Sequence, residues 1–149
     1  NRDAEAMEII ASNDEANVRA TSLNFSVALM RQGDYAAARA HLLQLAEDDN
    51  SHYQKAQVLE MLLKITHEYL RDVDDNTLQH ESYQDMLGWL EQIRDISPTG
   101  FNYYRLGRVH LLLKDKVAAQ HAFAEAARRF PSDSIYKEPA TQLAKELAR

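Results

Sequence analysis

Cysteine is absent from the 149 residues, which excludes disulfides, thiolate metal sites and cysteine nucleophiles. Glycine and proline are scarce, with four and three copies, so little of the chain can form hairpins and tight loops, and helix is expected. Long hydrophobic runs are missing. Leu111-Leu112-Leu113 is typical of what occurs, far short of the roughly 20 apolar residues that cross a bilayer as a helix. Positive charge is in deficit: 17 Lys and Arg against 23 Asp and Glu give a net charge of −6. Nucleic acid is therefore an unsuitable partner, since phosphates need clustered cations. The adjacent pair Arg128-Arg129 falls in the last turn of an expected helix, where it complements the dipole. The chain opens on Asn1-Arg2-Asp3, with neither Met nor an apolar leader. It reads as a piece of a longer bacterial protein, soluble, and the lack of cysteine fits cytoplasm and periplasm equally.

What is present is an internal repeat. "QGDYAAARAHLLQLAEDDN" (32–50) aligns with "LKDKVAAQHAFAEAARRFP" (113–131) at an offset of 81 residues. Asp34 matches Asp115, Ala38 matches Ala119, Leu42 matches Phe123, and Ala46 matches Ala127. Each copy reads as helix, short turn, helix. In the later copy Tyr103, Leu106, Val109 and Leu113 form an apolar stripe at three- and four-residue spacing,. Asp115 is placed to cap the next helix, whose inward face is Ala119, Ala122, Phe123 and Ala126,. Pro131 ends it,. Gly107 costs about 1 kcal/mol of helix propensity relative to Ala, so a neighbouring helix is expected to pass too close for a side chain.

These residues resemble the tetratricopeptide repeat family, whose hairpins carry an aromatic and Leu-Gly on the first helix, then Ala, an aromatic, Ala and Pro on the second. Tyr103, Leu106, Gly107, Ala119, Phe123, Ala126 and Pro131 match that pattern. His110 stands where the family usually has Tyr, and Lys114 replaces the usual turn Gly. The earlier copy matches at Phe25, Ser26, Gly33, Asp34, Tyr35, Ala38 and Leu42, with Leu45 and Asn50 replacing the second Ala and the Pro.

The resemblance implies one all-α domain over 1–149, a right-handed superhelical repeat solenoid of about three helix-turn-helix hairpins. Residues 1–18 would end a truncated preceding unit, with Met7 and Ile10 inward, and 19–50 form repeat 1. Residues 51–98 form repeat 2 and 100–131 repeat 3, while 134–149 form a capping helix with Leu143 and Leu147 inward,. Asn50 and Pro98 stand 48 residues apart, about 14 more than the family's typical 34. The central hairpin, with helices near 52–71 and 77–96, should therefore be elongated by about two turns per helix. That length makes it a candidate dimerisation surface.

Catalytic and metal motifs fail when tested. His67-Glu68 and His80-Glu81 lack the second His four residues on, where Arg71 and Gln84 stand,. Asp72, Asp74 and Asn76 mimic the start of a calcium loop, but Thr77 occupies the glycine position and Tyr83 that of the closing Glu,. No glycine-rich phosphate loop occurs and no Ser has an evident base,. No enzyme activity, cofactor or metal is expected.

The family's ligands lie along a concave groove lined by the first helix of each unit. The resemblance puts Leu23, Asn24, Val27 and Met30 there, with Phe101, Tyr104, Arg105, Arg108 and Leu112. Leu23, Val27 and Leu112 read better as packing residues. Asn24, Phe101, Tyr104, Arg105 and Arg108 are the groove candidates, suited to an acidic or aromatic peptide, although a salt-bridged face explains the two Arg equally well. The functional expectation is a non-enzymatic scaffold that binds a peptide or helix of a partner protein. Two alternatives stay open: a sensor segment of a multidomain transcription or signalling protein, and homodimerisation through the long hairpin.

Overall fold

The structure, a computed structural model, describes residues 15–47 and 52–149. The expectation for Met7 and Ile10 lies outside them. The described residues form seven helices and no strand: α1 (Glu15–Arg31), α2 (Tyr35–Glu47), α3 (His52–Leu70), α4 (Asn76–Ile96), α5 (Gly100–Leu112), α6 (Lys116–Arg129) and α7 (Lys137–Leu147). Contacts divide the chain into two compact units, 1–49 and 50–149.

In the first unit α1 packs against α2. The turn between them is set by three residues. Gly33 adopts φ +80°, its N–H donates to Met30 O (2.9 Å), and the Asp34 N–H donates to Leu29 O (3.0 Å). This satisfies the last carbonyls of α1 in the Schellman manner. Asp34 then starts α2, its Oδ1 accepting from the Ala37 N–H at 3.2 Å,. The side chains buried in this unit include Ser26, Ala38 and Leu42. A Cβ on Gly33 would meet nothing within 4 Å, so this glycine serves the left-handed turn and not a close helix contact.

In the second unit each helix packs on its neighbour in sequence. Leu59, Leu62, Ile65, Leu90 and Leu106 are among the buried side chains of α3, α4 and α5, roughly 2 kcal/mol of burial for each. Asp75 caps α4 through the N–H groups of Thr77 and Leu78, and Thr99 caps α5 through that of Asn102. The α5–α6 turn repeats the α1–α2 turn bond for bond at the 81-residue offset. Lys114 N–H donates to Leu111 O and Asp115 N–H to His110 O, both at 2.9 Å, and Asp115 Oδ1 accepts from Ala118 N–H at 3.1 Å. Lys114, at φ 62°, takes the left-handed position without being glycine. Gly107 lies against the buried Phe123 ring; a Cβ there would sit 2.8 Å from its Cε1 and Cζ atoms. Phe130 turns to extended backbone at φ −66°, ψ 137°, as the residue before Pro131 must.

The central hairpin is long, with 19 residues in α3 and 21 in α4, against 13 in α5. Tyr69, at the end of α3, and Leu78, at the start of α4, are 39% and 41% exposed. The buried residues of α4 are Trp89, Leu90 and Ile93, all toward the end where α5 begins. The shorter α5 does not reach the far end of the hairpin. Finally α7 lays Ala140 and Ala144 on α6, with Leu143 and Leu147 packed around Phe123. Lys137 Nζ donates to Ala127 O (2.6 Å) and Phe130 O (3.2 Å), so the start of α7 satisfies the end of α6.

Candidate functional site

Within the second unit α4 packs against both α3 and α5, leaving a cleft of ≈ 360 Å³ that all three helices line. One face of α3 supplies Glu60, Leu63, Lys64 and His67, at the three- and four-residue spacing of a helix surface,. One face of α5 supplies Arg105, Arg108, Val109 and Leu112, and α4 supplies Met86 and Leu90 between them. The floor is apolar and the rim is cationic.

Charge in the cleft is unevenly compensated. Arg105 crosses from α5 to α3, its two terminal nitrogens each 2.7 Å from an oxygen of Glu60. This bidentate geometry is the strongest form of such a pair. Arg105 also donates to Asn102 Oδ1 at 3.2 Å and stands over the Phe101 ring at 5.3 Å. Asn102 is itself buried and fixed by its Nδ2 donating to Ser97 O at 2.8 Å. Among the described residues, by contrast, no ion pair or hydrogen bond engages the side chain of Lys64 or Arg108. Three full cations therefore face one carboxylate here, in a chain whose net charge is −6.

Of the five residues that the sequence placed in a groove, the four in the second unit do not share one surface. Arg105 and Arg108 line the cleft. Phe101 lies beside it, 49% exposed, touching Arg105 and Tyr136. Tyr104 turns the other way. Its ring meets Phe123 edge-on at 5.3 Å and approaches Phe130 and Tyr136 at 6.3 and 6.1 Å, so it belongs to the aromatic packing between α5, α6 and α7. Asn24 is exposed in the first unit. Leu112, read as a packing residue, is 50% exposed at the cleft mouth. Sequence reasoning missed Glu60, Lys64, Met86 and Leu90, and it discarded His67 as a failed metal motif. The signal available was the recurrence of Glu60, Leu63, Lys64 and His67 on one helical face. Nothing local tells that this face looks across at Arg105.

No three His, Asp or Glu side chains among the described residues are grouped to hold a metal, and no helix among them is long and apolar enough to cross a membrane. A scan against models of known protein families finds no match to this chain. A search of curated proteins likewise finds no significant match.

Proposed function

We propose that the chain is a non-enzymatic protein-interaction module of the tetratricopeptide type, and that the α3–α5 cleft holds an apolar, acid-bearing segment of a partner protein. The hairpin reading is supported by the residue pattern of 19–131 and by the same turn hydrogen bonds recurring 81 residues apart. The observation that carries the docking reading is the cleft itself: Leu63, Met86, Leu90 and Val109 below, Lys64 and Arg108 unpaired at the rim. Apolar contact supplies the attraction, and the cations discriminate for acidic partners.

The test is panning of a random peptide display library against the protein and against a Lys64→Glu/Arg108→Glu variant. Enrichment of acidic, leucine-rich peptides that bind the first and not the second is the expected outcome. Enriched peptides that ignore the charge reversal would sink the assignment of the cleft.

One observation favours a second reading, self-association. The half-exposed Tyr69 and Leu78 stand at the far end of the long hairpin, a natural contact for another copy. Sedimentation equilibrium decides it: a dimer lost on Tyr69→Glu/Leu78→Glu supports this reading, and a monomer at all concentrations ends it.

A further inference from the structure

We infer that Glu60 is a built-in competitor for the cleft's ligand: it occupies the fork of Arg105, and an acidic side chain of the bound segment enters by taking its place. The inference rests on the docking reading above. It comes from an asymmetry between the two partners of the ion pair. Arg105 is held in place without Glu60. Asn102 accepts from its guanidinium at 3.2 Å, Asn102 is anchored to Ser97 O, and the Phe101 ring lies under the cation. The Arg105 side chain is 22% exposed, and both Asn102 and Phe101 stand with it on α5.

Glu60 is the loose member. Its side chain is 45% exposed, and among the described residues Arg105 is its one hydrogen-bond partner. Removing its carboxylate leaves a preformed bidentate donor at the mouth of an apolar cleft, with Arg108 one turn further along α5. A carboxylate from the ligand reproduces both 2.7 Å bonds, while Glu60 recovers its hydration on turning out to water. Because the ligand's carboxylate remakes the bonds that Glu60 gives up, the exchange is close to neutral. Glu60 thus sets a threshold, and a ligand must bring both an acid and apolar contacts to displace it. A neutral apolar segment brings nothing that can take Glu60's place on Arg105, so it gains nothing from the exchange.

The experiment measures binding of a fluorescein-labelled amphipathic peptide, Leu along one face and Glu beside it, and of its twin with Gln at every Glu position. Fluorescence anisotropy is read on the wild type and on Glu60→Gln, Arg105→Gln and the double variant, with circular dichroism to check each fold. Glu60→Gln keeps the size of the side chain and loses the charge. It is expected to tighten the Glu peptide about fivefold, the scale of an exposed ion pair, and to leave the Gln peptide unchanged. In the Arg105→Gln background the Glu60 substitution should lose this effect. Equal or weaker binding of the Glu peptide to Glu60→Gln overturns the competitor role. If the wild type still binds the Glu peptide more tightly than the Gln peptide, the docking reading survives without the exchange, and if it binds the two alike the acid-selective cleft falls as well. If neither peptide binds any form, both fall together.

Discussion

At the scale of single residues, the turn and the close approach are where one side chain decides a helix's neighbour. Gly107 buys contact between α5 and the Phe123 ring, which a Cβ would meet at 2.8 Å. Gly107→Ala gains about 1 kcal/mol of helix propensity but overpacks a filled core, and a net loss of roughly 1–2 kcal/mol is expected in urea denaturation. Adding Phe123→Leu should make the two losses less than additive, because the residues touch. Lys114 presents the opposite case. It holds φ 62° in the turn where the equivalent earlier position is Gly33, so Lys114→Gly should raise stability by about 1 kcal/mol and the melting temperature by several degrees. Thr66 is 2% exposed and among the described residues its hydroxyl has no hydrogen-bond partner. Replacing it by Val removes an orphaned polar group, and a gain of about 1 kcal/mol is expected by the same measurement.

At the scale of elements, the helices and their pairing with the next helix in sequence were legible, and the faces they turn to one another were not. Asp115, Pro131 and the spacing of Ala119, Phe123 and Ala126 mark α6 in one dimension, and the helix occupies Lys116–Arg129 with those three residues buried. Asp115→Ala should therefore cost about 1 kcal/mol through the lost cap, seen as a shift in urea midpoint with unchanged slope. The direction of Tyr104 was not legible. On a helix, positions 101, 104, 105 and 108 share a face by spacing alone, and they read as one surface. The three-helix environment splits them, because Phe130 and Tyr136 come from beyond α6 and draw the Tyr104 ring to that side. Similarly, Lys137 looks like one more surface cation until α7 brings it to the carbonyls of Ala127 and Phe130.

At the scale of the molecule, residues 50–149 form a compact unit by themselves. A fragment of that span is expected to be helical by circular dichroism and to melt cooperatively, since Leu59, Leu90, Leu106 and Phe123 lie within it,. A broad, uncooperative transition would count against that. The Lys64→Glu/Arg108→Glu change should leave its melting within about 0.5 kcal/mol of wild type, because among the described residues neither side chain makes an ion pair or hydrogen bond,.

The sequence by itself determined that the chain is helical, where the turns between helices fall, and that one hairpin pattern occurs twice. Those are local facts, carried by periodicity, by capping residues such as Asp34, Asp75 and Asp115, and by glycine and proline. Only the tertiary structure decided that Glu60 meets Arg105 across 45 positions of chain, and that Lys64 and Arg108 stand unpaired above an apolar floor. Whether a surface charge is neutralised or left free depends on which helix lies opposite. That is settled by the packing of α3 and α5 on α4, a relation between distant segments that no local spacing encodes.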